Sequence, residues 1–118
     1  AQSLREMRRF LKLVGGHDDN IIWVAGDLYV TIFGGRTRKI GILLGRGLSF
    51  DEAIEELSGI TLESVVIAKR MARALRARIK NGTANANDFP LIIHIDNVIS
   101  NGYEVNIPWD KFSSECFS

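Results

Sequence analysis

The sequence predicts an all-α protein, a compact bundle of short helices in one domain. Three observations carry this. Apolar residues recur at three- and four-residue steps through most of the chain, glycines and capping residues punctuate those runs, and the connections between them are short and polar. With 118 residues, 46% apolar and 25% charged, the chain is long enough to bury a core and has the balance of an ordinary globular domain. No internal repeat or low-complexity segment interrupts it.

Leu4, Met7, Phe10, Leu11 and Val14 form the apolar stripe of a first helix, ended by Gly15-Gly16. Arg5, Arg8, Arg9 and Lys12 fall between them and are expected on a solvated face. After the polar turn His17 to Asn20, residues 21 to 33 are ambiguous. Ile21-Ile22-Trp23-Val24 and Tyr29 to Phe33 have strand composition, and Gly26-Asp27 could turn a hairpin. Their alternation is poor, and no further strand-rich segment exists to pair with them. Composition leaves helix and hairpin both open.

Arg36 to Leu44 reads as a short helix with Ile40, Leu43 and Leu44 inward, ended by Gly45 to Gly47. Ser49-Phe50-Asp51-Glu52 is a capping box and opens a helix through Leu57, closed by Ser58-Gly59. Thr61 is placed to cap the longest helix, Leu62 to Lys80, with Leu62, Val65, Val66, Met71, Leu75 and Ile79 on its apolar side. Arg70, Arg73, Arg76 and Arg78 are expected at its solvent side. A turn-rich loop, Asn81 to Asn87, leads to Asp88, expected to cap a helix that has Pro90 in its first turn. Leu91, Ile92, Ile95, Val98 and Ile99 are its expected buried face, and Asn101-Gly102 its end. Ile107 to Phe112 can add a last helical turn capped by Asn106.

Charge and composition narrow the function classes. Fifteen basic against fourteen acidic residues create no global field for nucleic acid. No apolar run approaches the roughly 18 residues that span a bilayer. The single cysteine, Cys116, fits a reducing, cytoplasmic setting and has no base near it in sequence. His17 and His94 stand in no metal-ligand spacing, so no metal is expected and His94 reads as a packing or surface residue. The chain opens without methionine, directly in helical pattern, as a piece of a longer polypeptide would.

The chemistry concentrates in Val24 to Lys39. Asp27 is surrounded in sequence by Ile21, Ile22, Trp23, Val24, Leu28 and Val30, so burial with a partner is expected. Gly34-Gly35 then precedes Arg36, Arg38 and Lys39, the pattern of a turn that brings backbone amides and a guanidinium fork to an anion. Read blandly, Asp27 is a helix cap or half of an ion pair. Read functionally, a hydroxyl-binding carboxylate stands nine residues from an anion-binding loop, a separation that suits a small phosphorylated polyol.

Gly26-Asp27-Leu28-Tyr29-Val30-Thr31 followed by Gly34-Gly35-Arg36-Thr37-Arg38-Lys39 resembles the substrate-domain signature of NAD-dependent glycerol-3-phosphate dehydrogenase. That family has a Gly/Ala-Asp-Leu-x-x-Thr run and then Arg-Asn-Arg. Leu4-Arg5-Glu6-Met7, Leu43 to Leu48, Thr61-Leu62-Glu63 and Asp88-Phe89-Pro90-Leu91 agree with further family stretches in order and spacing, so the resemblance covers almost the whole chain. It implies the family's all-helical C-terminal domain, five to seven helices of the 6-phosphogluconate dehydrogenase C-terminal-domain-like type, and helix for residues 21 to 33. It implies interconversion of dihydroxyacetone phosphate and sn-glycerol 3-phosphate by hydride transfer with NAD or NADP. Carried over by match, Asp27, Thr31, Gly35, Arg36 and Thr37 would bind substrate, while Arg36, Thr61 and Glu63 would meet the cofactor. A homodimer in the cytoplasm is implied, with no nucleic-acid or membrane partner. Thr37 departs from the family's asparagine and shortens the reach at that position. The acid/base lysine and the glycine-rich dinucleotide fold lie upstream in the family and have no match here, so the chain is expected to be the substrate-binding domain and inactive alone. Two other classes remain open: a helical phosphate- or nucleic-acid-binding module built on Arg36, Arg38, Lys39 and Arg46, and a dimerisation scaffold.

Overall fold

The computed structural model describes residues 1–31, 33–57 and 62–112, apart from the side chain of Thr31. Among these residues there are six α-helices and no strand: α1 (Gln2–Leu13), α2 (Ile21–Thr31), α3 (Arg36–Gly45), α4 (Phe50–Glu56), α5 (Glu63–Lys80) and α6 (Pro90–Asn101). Single 3-10 turns lie at Asp18–Asn20 and Ala86–Asp88, between helices, and at Trp109–Lys111, after α6. Residues 21 to 31 are helix, as the resemblance implied and composition left open.

The principal helix pair is α5 with α6; α1 packs on α6, and α3 on α4. One core knot joins Ile40 of α3, Phe50 of α4 and Leu62, with Leu44, Ile54, Leu57, Val65 and Ile99 half-buried around it. Lys69 reaches over the Phe50 ring, its ammonium 5.9 Å from the centroid. Along α5, Ala72 and Leu75 are buried as alanine-assisted close packing predicts, but Val66 is exposed. On α6, Val98 is buried and Ile95 exposed.

Local capping accounts for several boundaries. Ser49 Oγ accepts from the Glu52 amide at 3.2 Å, and Glu52 Oε2 accepts from the Ser49 amide at 2.9 Å, so the expected capping box is formed. Gly102 ends α6 in the left-handed region, at φ 69°. The first helix ends at Leu13, and Gly15 takes the left-handed conformation just beyond. Ser58-Gly59 and Thr61, expected to close α4 and cap α5, lie outside the described residues, and Leu62 occupies the N-cap position of α5.

The start of α6 corrects the sequence reading. Asp88 does not cap it; Asp88 sits in the preceding 3-10 turn, and its carbonyl accepts from Arg9 Nη1 at 2.9 Å. The cap comes from α1. Glu6, completely buried, accepts from the Leu91 amide through Oε2 at 2.9 Å and from the Ile92 amide through Oε1 at 2.8 Å. Gln2 Nε2 donates to the same carboxylate at 2.7 Å, and Arg5 Nη1 in turn donates to Gln2 Oε1 at 2.8 Å. An isolated carboxylate in that position would cost several kcal/mol. Three donors and the positive end of a helix offset that cost. The first helix is therefore anchored by a polar contact within its otherwise half-buried apolar stripe.

Several expected surface cations are also engaged. Arg76 Nε donates to Asp96 Oδ2 at 2.7 Å and its Nη2 to Asn97 Oδ1 at 3.1 Å, so it ties α5 to α6. Arg8 and Lys12 are exposed and face Asp18, as a solvated stripe should. Asn106 does not cap the last turn; its amide donates to His94 Nε2 at 3.2 Å, which gives His94 a packing role.

Candidate functional site

At 100° per residue, α2 turns Ile21, Val24 and Ala25 toward the rest of the domain, where they are half-buried. Asp27 lies on the exposed side. The expectation of a buried carboxylate is therefore overturned. Neighbours in sequence point around the helix in different directions, and Trp23 and Val30, which were to enclose Asp27, are themselves 79% and 71% exposed. The Thr31 side chain falls outside the described residues.

Beyond α2 the chain turns at Gly34-Gly35. Gly35 has φ 102° and ψ 173°, a region essentially closed to residues with a Cβ, and it is the N-cap of α3. Glycine is thus required where the anion-loop pattern placed it. Arg36 and Thr37 are the first two residues of α3, and both are exposed. Among the described residues no side chain caps α3, and its first turn contains no acidic residue. Arg36, Arg38 and Lys39 instead place three cations at the positive end of the helix dipole. Self-repulsion disfavours that arrangement unless an anion joins it.

The structure brings a second helix start to the same place. Thr37 Oγ1 and Ser64 Oγ are 2.8 Å apart, which sets the first turn of α3 against the first turn of α5. Glu63, the first residue of α5, is exposed beside this contact, and among the described residues α5 likewise has no side-chain cap bond. Sequence reasoning singled out Gly35, Arg36, Thr37 and Glu63 and missed Ser64. The available signal was only its place next to Glu63. Behind the Thr37–Ser64 pair lies a cavity of about 490 Å³ lined mainly by apolar side chains, Ile40, Leu62 and Val98 among them. Such a lining suits packing and not a phosphate. The polar chemistry is on the outer surface.

Among the described residues, no cluster of His, Cys, Asp and Glu is placed to hold a metal ion, and no helix is long and apolar enough to cross a membrane. The fold and this surface define a helical domain that presents two helix starts with no side-chain cap among the described residues, a required glycine turn and a group of cations. Residues 1–109 match the family described as NAD-dependent glycerol-3-phosphate dehydrogenase C-terminus, and the chain belongs to it. It is 35% identical over 106 residues to the NADP(+)-dependent glycerol-3-phosphate dehydrogenase of Archaeoglobus fulgidus, an alignment covering 88% of this chain and 30% of that protein. It is 38% identical over 76 residues to the glycerol-3-phosphate dehydrogenase [NAD(P)+] of Xanthomonas euvesicatoria, covering 61% of this chain and 22% of the relative. The corresponding enzyme of Stenotrophomonas maltophilia is 34% identical over 79 residues, 64% of this chain and 23% of its own. The chain thus spans less than a third of the length of these relatives. No solved structure matches it.

Proposed function

We propose that this chain is the substrate-binding domain of an enzyme interconverting dihydroxyacetone phosphate and sn-glycerol 3-phosphate with NAD or NADP. The observation that carries the reading is the start of α3: a glycine that must be glycine, no capping side chain among the described residues, and three cations where the helix dipole favours an anion. The names of its relatives supply the class of reaction.

In this reading Arg36 and the amides following Gly35 hold the substrate phosphate. Thr37, kept in place by Ser64, adds a hydroxyl where the family has asparagine. Asp27 accepts a hydrogen bond from a substrate hydroxyl, and Thr31 supports the carbonyl end. On the cofactor side, Arg36, Glu63 and Thr61 would border the dinucleotide. Exposed Arg36 and the adjoining helix starts fit an anionic edge, whereas the greater part of the dinucleotide site belongs to chain outside these residues. When bound, the nicotinamide supplies or accepts the hydride. In reduction, the carbonyl carbon gains that hydride and its oxygen becomes an alkoxide that takes one proton. The donor is a lysine in the upstream part of the enzyme, and Asp27 orients the neighbouring hydroxyl.

The reading makes this chain by itself inactive, and the complete enzyme a cytoplasmic homodimer without metal, nucleic-acid or membrane partners. In the full-length enzyme, Arg36→Ala is expected to lower kcat/KM for dihydroxyacetone phosphate by roughly 100-fold or more, chiefly through KM, as loss of a charge-assisted phosphate contact should. Unchanged steady-state kinetics would remove Arg36 from the site. Substrate-dependent NADH oxidation by the 118-residue chain alone, above background, would overturn the claim of inactivity.

A further inference from the structure

The Thr37 and Ser64 hydroxyls are 2.8 Å apart, a well-formed O–H···O bond between residues 27 apart in sequence. Either oxygen can be the donor. Among the described residues neither hydroxyl has another partner. Each carries one proton and two acceptor lone pairs, so their mutual bond commits one proton and leaves the other for a third group. The cavity behind the pair is lined mainly by apolar side chains, Ile40, Leu62 and Val65 among them, so an acceptor for the second proton has to come from the outer surface.

The direction of the bond decides which helix start gains that donor. If Thr37 donates, the free proton is on Ser64, in the first turn of α5 beside Glu63. If Ser64 donates, the free proton is on Thr37, in the first turn of α3 beside Arg36. The charges favour the second arrangement for an anionic ligand. Arg36, Arg38 and Lys39 attract an anion to α3, whereas Glu63 opens α5 with a negative charge. Asparagine, which the family has at position 37, carries its donors on a planar amide. A threonine hydroxyl rotates and can turn its one proton away.

We infer that Ser64 is a positioning residue for the substrate: its hydroxyl donates to Thr37 Oγ1, fixes that rotor and leaves the Thr37 proton aimed at the substrate phosphate. The inference rests on the phosphate site proposed at Arg36 and adds to it a residue from a second helix. Hydrogen bonds in such a chain polarise one another, so the Thr37 donor is strengthened as well as aimed. The task of one asparagine is divided between two hydroxyls on separate helices.

The test is steady-state kinetics of the full-length enzyme, with inorganic phosphate as a competitive inhibitor. Ser64→Ala is expected to raise KM for dihydroxyacetone phosphate and Ki for phosphate by about three- to tenfold, the worth of one neutral hydrogen bond. KM for NADH and the thermal midpoint should not move, and Ser64→Thr, which keeps the hydroxyl, should retain the wild-type KM for dihydroxyacetone phosphate. Thr37→Val should raise that KM at least as much, and adding Ser64→Ala to it should change nothing further. Thr37→Asn should make KM independent of Ser64, because the amide needs no partner to hold its donors. A Ser64→Ala effect that persists with Thr37→Asn, appears equally in KM for NADH, or follows a fall in thermal midpoint overturns the inference and makes Ser64 a structural contact. Wild-type KM in Ser64→Ala overturns it too. In that case an impaired Thr37→Val leaves the phosphate site standing without Ser64, whereas an unimpaired Arg36→Ala removes the site itself.

Discussion

Glu6 shows how one side chain can decide where two helices meet. Its carboxylate satisfies the Leu91 and Ile92 amides and holds Gln2. Glu6→Ala leaves two part-buried helix-terminal donors without their partner and is expected to cost about 2–4 kcal/mol in urea unfolding. Glu6→Gln keeps one acceptor oxygen and should cost about half as much. If both variants unfolded at the wild-type midpoint, the cap would contribute nothing. This role was not legible in the sequence, because a glutamate among Leu4, Met7 and Phe10 reads as part of a polar stripe and its partners lie 85 and 86 residues away. Asp88 was the plausible local candidate by residue type, but the chain enters α6 through a 3-10 turn that leaves Asp88 one residue before the N-cap. Asp27 failed for a related reason, since one-dimensional adjacency does not specify which way a helix turns its side chains. The glycine turn at Gly35 and the helix start at Arg36 were legible because both are local features, set within a few residues.

Elements reveal their ends more clearly than their environments. The Ser49–Glu52 box was readable because both bonds close within four residues, and Ser49→Ala should lower stability by about 1 kcal/mol. Two helix-flanking glycines should behave differently despite similar sequence contexts. Gly102 lies at φ 69°, ψ 19°, where asparagine is tolerated, while Gly35 lies at φ 102°, ψ 173°, where only glycine is comfortable. A Cβ at either position meets nothing within 4 Å, so the difference is one of backbone strain alone. Gly102→Asn is expected to be within about 0.5 kcal/mol of wild type and Gly35→Asn to lose about 1–3 kcal/mol. Thermal unfolding of the pair checks this directly, and equal losses would contradict the assigned conformations. The strand-or-helix ambiguity of residues 21 to 31 had a physical source too. A helix apolar on nearly every side has no periodicity to read, and α2 is apolar on its inner side and on its outer one.

At the scale of the whole molecule, contacts divide by sequence separation, and this predicts an order of assembly. The α3–α4 and α5–α6 pairs join neighbouring elements, whereas α1 reaches α6 across almost the full chain. Closing a loop of some 85 residues costs on the order of 4 kcal/mol in chain entropy, against roughly 2 kcal/mol for a loop of ten. The bond from Glu6 to α6 should therefore form after the folding transition state, and the packing of Leu75, completely buried on α5, before or within it. Glu6→Gln is expected to speed unfolding by about tenfold and leave the folding rate within about twofold. Leu75→Ala, at a cost of about 2–5 kcal/mol, should slow folding by a substantial share of its total effect. Stopped-flow chevrons of the two variants separate these outcomes. A Glu6→Gln variant that folds more slowly in proportion to its lost stability would place α1 docking in the nucleus. The α1–α6 contact would then be where folding begins, and the late-closing latch described by its sequence separation would be wrong.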